Sequence, residues 1–252
     1  MPTSPDGLET AWDDRTLRDP HAQQDKARRV RDMFDAIAPT YERVNTLATF
    51  GRDAAWRRRA VRAAQVRPGD VVLDVCCGTG DMIRAFMAGE PAPAAVVGVD
   101  FSAQMLAGGR YAPSTTPLLL CRADALRLPV RDASVDVVSC AFGVRNFQDL
   151  PAGLRELRRV LRAGGRAVIL EFAPPDNALL RWGYELYCNQ LLPRLGALIS
   201  RDRVGAYRYL PRSIQTFDGR GAMERRLPDA GFAHVRSEAM NLGGVVLYVA
   251  VA

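Results

Sequence analysis

A short apolar run that stops at an acid and continues into a glycine-rich turn constrains the fold of this chain most strongly. Residues 71–81 read Val-Val-Leu-Asp-Val-Cys-Cys-Gly-Thr-Gly-Asp, and a helix-like stretch begins at Asp81. A second apolar run, residues 95–99, ends in Asp100, twenty residues after Gly80. The glycines permit a tight turn that lets the backbone approach a ligand at a helix N-terminus, and the later acid accepts ribose hydroxyls. The segment therefore predicts a nucleoside-binding βαβ unit.

The residue that follows the glycine motif separates two classes of nucleoside ligand. A dinucleotide fingerprint has Gly or Ala three residues after the second glycine, where this chain has Ile83. Asp81 also places a carboxylate at the start of the helix, which disfavours a phosphate and suits a neutral or cationic ligand. S-adenosylmethionine fits this pattern, with its ribose on Asp100 and its sulfonium and ammonium groups near Asp74 and Asp81. A turn with a purely structural role is the alternative.

Length and composition are those of one soluble globular domain. The chain has 252 residues, of which 48% are hydrophobic and 25% charged. No run of 18 apolar residues lacks charges, so no transmembrane helix is expected. Residues 1–22 are polar and lack an apolar core, which predicts a disordered tail and no signal peptide.

The net charge of +6 is carried by arginines and a single lysine, Lys26. Such a charge suits a nucleic acid or an anionic membrane surface. The arginines are scattered and no aromatic residues interleave with them, so no nucleic-acid partner is predicted. The five cysteines show no metal-ligand spacing, so we expect no metal and buried thiols in a reducing cytosol.

Strand-like and helix-like segments alternate through the middle of the chain. The predicted strands are 71–76, 95–100, 118–122, 135–141 and 166–172, and the predicted helices are 81–88, 102–110 and 150–162. Gly164 and Gly165 are expected to cap the last of these helices. Two further strands, 234–239 and 245–252, are joined by a link so short that they must pair antiparallel. The pattern predicts an α/β fold, a doubly wound seven-stranded mostly parallel sheet with one antiparallel strand, as in class I S-adenosylmethionine-dependent methyltransferases.

Two helical regions complete the expected single domain, residues 23–252. Helices at 23–38 and 53–64, joined by a loop with Tyr41 and Asn45, would form an N-terminal lid over residues 23–64. An insertion at about 175–218 carries an apolar stripe at helical spacing: Leu180, Tyr184, Tyr187 and Leu191, ending before Pro193. The stripe fits either core packing or the wall of a lipophilic pocket.

Ligands of open α/β sheets bind beyond the carboxyl ends of the strands, which selects the candidate site residues. These are Asp74, Gly78, Thr79, Gly80, Asp100, Phe101, Asp124, Ala125, the run 142–146, Glu171 and Phe172. Asp124 could accept a hydrogen bond from the adenine amino group while the Ala125 N–H donates to a ring nitrogen, or Asp124 could simply cap a turn. Arg145 could stabilise an oxyanion. The alternative for Arg145 and Asn146 is a surface ion pair and a helix-capping Asn.

Four separated motifs resemble the UbiE/MenG/COQ5 family of quinone C-methyltransferases, from about Val30 to the C-terminus. The block from Tyr41 to Trp56 resembles Y-D-x-M-N ending in H-x-x-W, and 159–171 resembles the second family signature, with Ala163 in place of its usual Pro. Residues 142–146 match F-G-x-R-N, and residues 207–214 match Y-x-Y-L-x-x-S-I.

The resemblance implies methyl transfer from S-adenosylmethionine to a ring carbon of a polyprenylated quinol. The implied product is menaquinol, and the alternatives are C-methylation of the benzoquinol precursor of ubiquinone or of another phenolic molecule. Thr79, Asp100, Asp124 and Ala125 would contact the methyl donor. A Ser that some members have before F-G-x-R-N is Ala141 here.

We expect the quinol to react as its phenolate, with Arg145 stabilising the oxyanion and Tyr41 and Asn146 orienting the ring. Neither histidine is expected to serve as the base, since His21 lies in the tail and His234 starts an edge strand. The expected location is the cytoplasm, with a transient contact of the 175–215 insertion at the inner face of the cell membrane. The sequence leaves open the oligomeric state, including a homodimer, and the length of the prenyl tail.

Overall fold

A computed structural model describes residues 11–186 and 205–252, and within them seven strands form one sheet. The strands are β1 (Val71–Val75), β2 (Ala95–Asp100), β3 (Leu118–Arg122), β4 (Val135–Ala141), β5 (Leu161–Phe172), β6 (Ala233–Met240) and β7 (Val245–Val251). Their order is β3-β2-β1-β4-β5-β7-β6. Strands β1 to β5 pair in parallel, and β7 runs antiparallel to both β5 and β6. The predicted fold class, with one reversed strand, is confirmed.

Helices cover both faces of this sheet. They are α1 (Lys26–Ile37), α2 (Tyr41–Ala48), α3 (Asp53–Ala64), α4 (Asp81–Met87), α5 (Ala103–Ala107), α6 (Leu150–Val160), α7 (Ala178–Leu186), α8 (Ala206–Gln215) and α9 (Arg220–Asp229). One face of the sheet packs against α3 and α4 through fully buried side chains such as Ala60 and Ile83. The opposite face packs against α6 and α9 through Leu154, Leu157 and Met223. Burial on both faces explains why the parallel strands are nearly all apolar.

The strand register gathers the candidate residues at one edge of the sheet. Asp74 of β1 lies opposite Gly98 of β2 and Ser139 of β4. Because these strands are parallel, their carboxyl ends open onto the same side, where α1 and α2 lie above them. The fold therefore positions the ends of β1, β2 and β4 around one crevice.

Two local predictions are wrong. Tyr41 and Asn45, expected in a loop, lie in helix α2. The helix predicted over 150–162 ends at Val160, because Leu161 is buried and adopts an extended conformation that pairs it with Val135. Gly164 and Gly165 therefore lie within β5 and do not cap the helix.

The N-terminal segment also differs from its expectation, because residues 11–22 pack against the domain. Trp12 is fully buried and Leu17 nearly so, in a cluster with Val30, Met33 and Tyr209. The predicted disorder is therefore wrong for residues 11–22, and residues 1–10 lie outside the described residues.

The apolar stripe of the insertion is only partly described. Helix α7 carries Leu180, whereas Tyr187, Leu191 and Pro193 lie outside the described residues. None of the helices in residues 11–186 and 205–252 is long and apolar enough to cross a bilayer.

We expect Gly98→Ala to destabilise the fold, because helix α4 and strand β3 approach β2 closely at this residue. An added Cβ would lie 2.6 Å from Ile83 Cδ1 and 2.8 Å from Leu120 Cδ2. Overpacking of this kind lowers the free energy of unfolding by about 1–3 kcal/mol. Urea denaturation followed by circular dichroism would measure the loss.

Gly221→Ala is the matched control, since it makes the same change in helix α9, where an added Cβ meets only Arg225 Nη1 at 3.6 Å. Gly221 is the second residue of α9, so this variant should match the wild type or exceed its stability by at most about 1 kcal/mol, because Ala restricts the unfolded chain more than Gly does. Equal stability changes in the two variants would contradict the close packing at Gly98.

Candidate active site

A cavity of about 90 Å³ lies at the carboxyl ends of β1, β2 and β4 beneath helix α1. Ten of its lining residues are Val30, Phe34, Tyr41, Gly78, Asp100, Phe101, Asp124, Ala125, Phe142 and Asn146. Most of the residues predicted to bind the methyl donor, and two of those predicted to act on the acceptor, therefore line the same cavity. Asp74, Thr79 and Gly80 do not line this cavity and lie just outside it.

The glycine turn after β1 depends on backbone conformations that favour glycine. Gly78 and Gly80 have φ angles of +56° and +90°, and Gly80 is the N-cap of α4. A Cβ on Gly80 would lie 2.3 Å from Tyr111 Oη. The side chain of Thr79 is buried, and its Oγ1 has no hydrogen-bond partner among the described residues. The turn thus holds a buried hydroxyl beside the cavity and close to the carboxylate of Glu42.

Asp100 at the end of β2 holds the turn in place. Its Oδ2 accepts a hydrogen bond from the Gly78 N–H at 2.8 Å, and its Oδ1 accepts one from the Ser102 N–H at 2.8 Å. Burial raises the pKa of this carboxyl. Each carboxylate oxygen retains a further acceptor site, which is what a ribose diol requires. The expected contact with ribose remains a prediction.

Asp124 and Ala125 follow β3 and line the same cavity. Asp124 Oδ1 accepts a hydrogen bond from the Leu126 N–H at 2.9 Å, so this residue does stabilise a turn. The other carboxylate oxygen is available for a ligand, so the turn role and the adenine role are compatible.

Asp74 is buried below the turn and is only partly satisfied. Its Oδ1 accepts a hydrogen bond from Ser139 Oγ at 2.5 Å, whereas its Oδ2 has no partner among the described residues. Burial raises its pKa to about 7. Asp81, in contrast, is paired with Arg57 at 2.8 Å and with Arg84. Asp81 is therefore already paired, whereas Asp74 keeps an unpartnered oxygen, and a cationic ligand group beside it would favour its ionised form.

A second cavity, of about 50 Å³, adjoins the first and shares Phe34, Tyr41 and Phe142 with it. Its other lining residues are Met33, Ile37, Val44, Asn45, Ala48, Arg145, Phe172, Ala206, Tyr209 and Leu210. The rings of Phe142 and Phe172 stack with centroids 4.4 Å apart. Burial raises the pKa of Tyr41, so this hydroxyl stays protonated. The cavity combines flat aromatic walls with one guanidinium.

Arg145 is buried and paired, which the sequence did not reveal. Its Nη1 donates to Glu171 Oε1 at 2.7 Å and to the Phe142 carbonyl at 2.6 Å. Burial disfavours its charge, but the carboxylate of Glu171 raises its pKa. Its Nε is buried without a partner among the described residues. The alternative of a surface ion pair is wrong, since both side chains are at most 4% exposed.

Asn146 links this turn to helix α8. Its Oδ1 accepts a hydrogen bond from Tyr209 Oη at 2.8 Å, and its Nδ2 lies 3.4 Å from the Phe142 carbonyl oxygen. Its side chain therefore bonds to a neighbouring helix and lines the first cavity.

Lys26 is a site residue that sequence reasoning missed. Its Nζ donates to the carbonyl oxygens of Arg145 at 2.8 Å and Phe147 at 2.6 Å, and burial lowers its pKa to about 8. The only usable signal was that it is the single lysine in the chain. Tyr209 was visible only as part of the 207–214 motif.

A third cavity, of about 590 Å³, continues from the second to the protein surface. It shares Asn45, Ala48, Phe172 and Leu210 with the second cavity. Its outer wall is largely apolar: Phe50, Trp56, Pro175, Leu179, Leu180, Ile214 and Leu242. No cluster of metal-binding side chains occurs in the part of the chain that the structure describes.

Comparison with known proteins identifies the relatives of this chain. The sequence model of the ubiE/COQ5 methyltransferase family matches residues 22–252. A demethylmenaquinone methyltransferase from Thermus thermophilus is 44% identical over 220 residues, covering 86% of this chain and 98% of that protein. The ubiquinone/menaquinone biosynthesis C-methyltransferase UbiE of Geotalea uraniireducens is 37% identical over 229 residues, covering 89% and 97%.

A solved structure shows the same fold. The S-adenosylmethionine-dependent methyltransferase from Thermotoga maritima superposes with a TM-score of 0.61 at 16% sequence identity, covering 88% of this chain and 98% of that one. This likeness supports the fold alone.

We expect Asp74→Asn to stabilise the protein most at neutral pH. The pKa of Asp74 is about 7 in the folded protein, whereas that of an ordinary Asp side chain is 3.8. The folded protein therefore keeps a proton that the unfolded chain releases, and wild-type stability falls as pH rises between about 4 and 7. Asn does not titrate, so the difference in unfolding free energy between variant and wild type, measured with urea, should grow across this range and then level off.

Asp136→Asn serves as a control, because the pKa of Asp136 is shifted in the opposite direction to that of Asp74. Burial disfavours the Asp136 carboxylate, but the Val71 N–H and Arg162 hold its pKa below its ordinary value. This substitution should therefore destabilise the protein near neutral pH and lose its effect in acid. A pH-independent difference for Asp74→Asn would show that Asp74 holds no proton.

Proposed function

The chain belongs to the ubiE/COQ5 methyltransferase family, and from this premise we propose that it transfers a methyl group from S-adenosylmethionine to a ring carbon of demethylmenaquinol. The observation that carries the proposal is the series of three connected cavities. Their order, from inside to outside, suits a nucleoside, an aromatic ring and an apolar tail. A polyprenylated quinol and its methyl donor together have these three parts.

The first cavity suits the methyl donor. Asp100 offers acceptors for the ribose, and Asp124 and Ala125 offer an acceptor and a donor for adenine. Asp74 is buried just outside this cavity, and its unpartnered oxygen would favour a cationic group nearby. The donor supplies an electrophilic methyl group on a positively charged sulfur. The protein holds this group at the boundary that Tyr41 and Phe142 form between the first and second cavities.

The second cavity suits a quinol ring held as its phenolate. Arg145 and Lys26 both lie at this turn, and Glu171 pairs directly with Arg145. The guanidinium of Arg145 lines the cavity and would favour an anionic ring oxygen, to which its unpartnered Nε–H can donate. Tyr41 lines both cavities and Asn146 lines the first, so these two residues would orient the edge of the ring that faces the methyl donor.

The proposed step forms a bond between a ring carbon and the methyl carbon and breaks the bond from that methyl to sulfur. The electron pair of the broken bond stays on sulfur, which becomes a neutral thioether. The neutral dienone that results then loses the proton at the attacked carbon to water, and the electrons of that C–H bond restore the aromatic phenolate. The main work of the protein is to hold the two reactants in line and to stabilise the phenolate.

Menaquinol is the favoured product, because the Thermus relative at 44% identity is named for demethylmenaquinone. The name of the Geotalea relative joins ubiquinone and menaquinone. The benzoquinol precursor of ubiquinone and other phenolic acceptors are therefore the alternatives for the assay.

The third cavity and its rim suit a bilayer surface from which the quinol tail enters. Seven of the eight exposed large apolar side chains among the described residues lie on the segments that form this rim: Leu47, Phe50, Leu179, Leu180, Trp182, Leu186 and Leu242. Arg43, Arg52 and Arg181 are exposed on the same segments. Apolar side chains flanked by cations are suited to an anionic lipid surface, and we propose such a surface as the partner. Residues 23–64 would then act as the lid and α7 as part of the docking face.

The first test of the function is methyl transfer from labelled S-adenosylmethionine to demethylmenaquinol, with dithionite and without it. We expect product only under reduction, because the oxidised quinone has no hydroxyl to become a phenolate.

Arg145→Ala should lose about 10²–10³ in turnover while still binding S-adenosylmethionine, since a preorganised donor to the oxyanion is removed.

Arg145→Ala leaves the buried Glu171 unpaired, so Arg145→Ala combined with Glu171→Gln provides a variant without that buried charge. Calorimetric binding of S-adenosylmethionine confirms that each variant is folded. Product from the quinone without reductant would contradict the phenolate step. Transfer to the benzoquinol but not to demethylmenaquinol would replace the proposed substrate.

The membrane proposal predicts that Leu179→Ser combined with Trp182→Ser weakens binding to vesicles containing phosphatidylglycerol by about tenfold or more, since each buried apolar side chain contributes about 1.5–3 kcal/mol. Sedimentation at low salt measures the binding. Leu119→Ser is the matched control, because Leu119 is 62% exposed on edge strand β3, which does not line the third cavity. Equal losses in the two proteins, or no binding by the wild type, would contradict the docking face.

A further inference from the structure

Residues 11–21 precede the part of the chain that matches the family, yet they pack against two elements of the candidate site. The family match begins at residue 22. Arg29 of α1 donates through Nη1 to the Ala11 carbonyl at 2.9 Å. Arg212 of α8 donates through Nε to the Leu17 carbonyl at 2.9 Å. The segment therefore bridges helices α1 and α8, which both line the second cavity.

One route from this segment to the site passes through Tyr209. Trp12 is fully buried and stacks on Tyr209 with ring centroids 4.4 Å apart and an interplanar angle of 26°. The approach is so close that a Cβ on Gly205, the residue before α8, would lie 2.6 Å from the Trp12 carbonyl oxygen. Tyr209 is itself buried and donates to Asn146 Oδ1 at 2.8 Å. The position of the Asn146 amide therefore depends on Trp12.

A second route passes through Lys26. His21 Nε2 lies 2.9 Å from the Ser213 carbonyl oxygen, which can only accept, so this nitrogen carries the proton and His21 Nδ1 accepts. Lys26 Nζ lies 3.1 Å from that Nδ1 and also donates to the carbonyls of Arg145 and Phe147. The three N–H groups of the ammonium thus meet three acceptors. A buried ammonium needs such complete pairing, so the position of Lys26 depends on His21.

We propose that residues 11–21 position the Arg145–Phe147 turn for methyl transfer, with Trp12 acting through Tyr209 and His21 acting through Lys26. The two routes reach the same three residues from opposite sides: one holds the side chain of Asn146, and the other holds the carbonyls that flank it. Trp12 and His21 touch neither cavity that would hold the reactants. They are positioning residues.

Positioning and simple coverage of the core have different consequences. A segment that only covers apolar surface would lower the melting temperature on mutation and leave the turnover of the folded protein unchanged. A segment that positions the turn would lower kcat of the folded protein, since a small displacement of a group that orients the substrate costs up to about 10²-fold in rate.

The kinetic test compares Trp12→Leu, Trp12→Phe and the control Arg15→Ala, which changes an exposed residue of the same segment. We expect Trp12→Leu to lower kcat for quinol methylation between about 10-fold and 10²-fold, with KM for S-adenosylmethionine within about twofold of the wild type. Trp12→Phe should restore most of the rate, because it keeps a ring on Tyr209. Arg15→Ala should match the wild type.

A double-mutant cycle tests the route. Tyr209→Phe removes the hydroxyl that holds Asn146, so adding Trp12→Leu to it should reduce kcat much less than Trp12→Leu does in the wild type. His21→Leu should lower kcat independently of Tyr209→Phe, because it acts through Lys26. Fully additive effects of Trp12→Leu and Tyr209→Phe would overturn the first route.

A measurement without substrate separates this inference from the proposed function on which its kinetic arm rests. Amide hydrogen exchange of the peptide spanning residues 143–148 should be faster in Trp12→Leu and in His21→Leu than in the wild type, and unchanged in Arg15→Ala. Unchanged exchange together with an unchanged kcat would overturn the inference, even if the melting temperature falls. If the wild type methylates no quinol, the proposed function fails and hydrogen exchange alone decides the positioning role.

Discussion

The buried ion pair between Arg145 and Glu171 is the interaction on which the rest of the site depends. Neither side chain is more than 4% exposed, so each charge relies on the other and on the hydrogen bonds around them. Glu171 is the next-to-last residue of β5, while Arg145 lies in the turn after β4, so the pair ties two neighbouring strand ends together. The same contact orients a guanidinium toward a cavity with aromatic walls. One pair thus fixes both the shape and the charge of this part of the crevice.

A buried lysine adds a second cation next to this pair. Lys26 brings a second cation to the turn but bonds only to carbonyls and to a neutral imidazole nitrogen, so its charge is not neutralised by a direct ion pair. The N-terminal helices also roof the first two cavities. Elements far apart in the chain therefore cooperate to bring two cations into one small region.

Much of the fold was predictable because its signals are local. The strand that ends at Asp74, the glycine turn and the spacing to Asp100 are read directly from adjacent residues, and the strand–helix alternation determines the parallel sheet. The end of α6 was mispredicted because Leu161 joins β5 through a long-range pairing with Val135, which outweighs a glycine signal nearby. Trp12 stacks on Tyr209, and Lys26 donates to the carbonyls of Arg145 and Phe147, in each case across more than a hundred positions. The partner of Arg145 lies 26 positions away, on a different strand, so no local pattern could reveal these contacts.

The burial of Lys26 has a consequence for the chemistry of the whole surface. Every other basic side chain that contributes to the net charge of +6 is an arginine, and the single lysine is only 3% exposed. Reagents that acylate amines will therefore find no accessible lysine side chain on the folded protein. Acylation of Lys26 would require the turn at Arg145 to release it, so the rate of that reaction reports how often the turn opens.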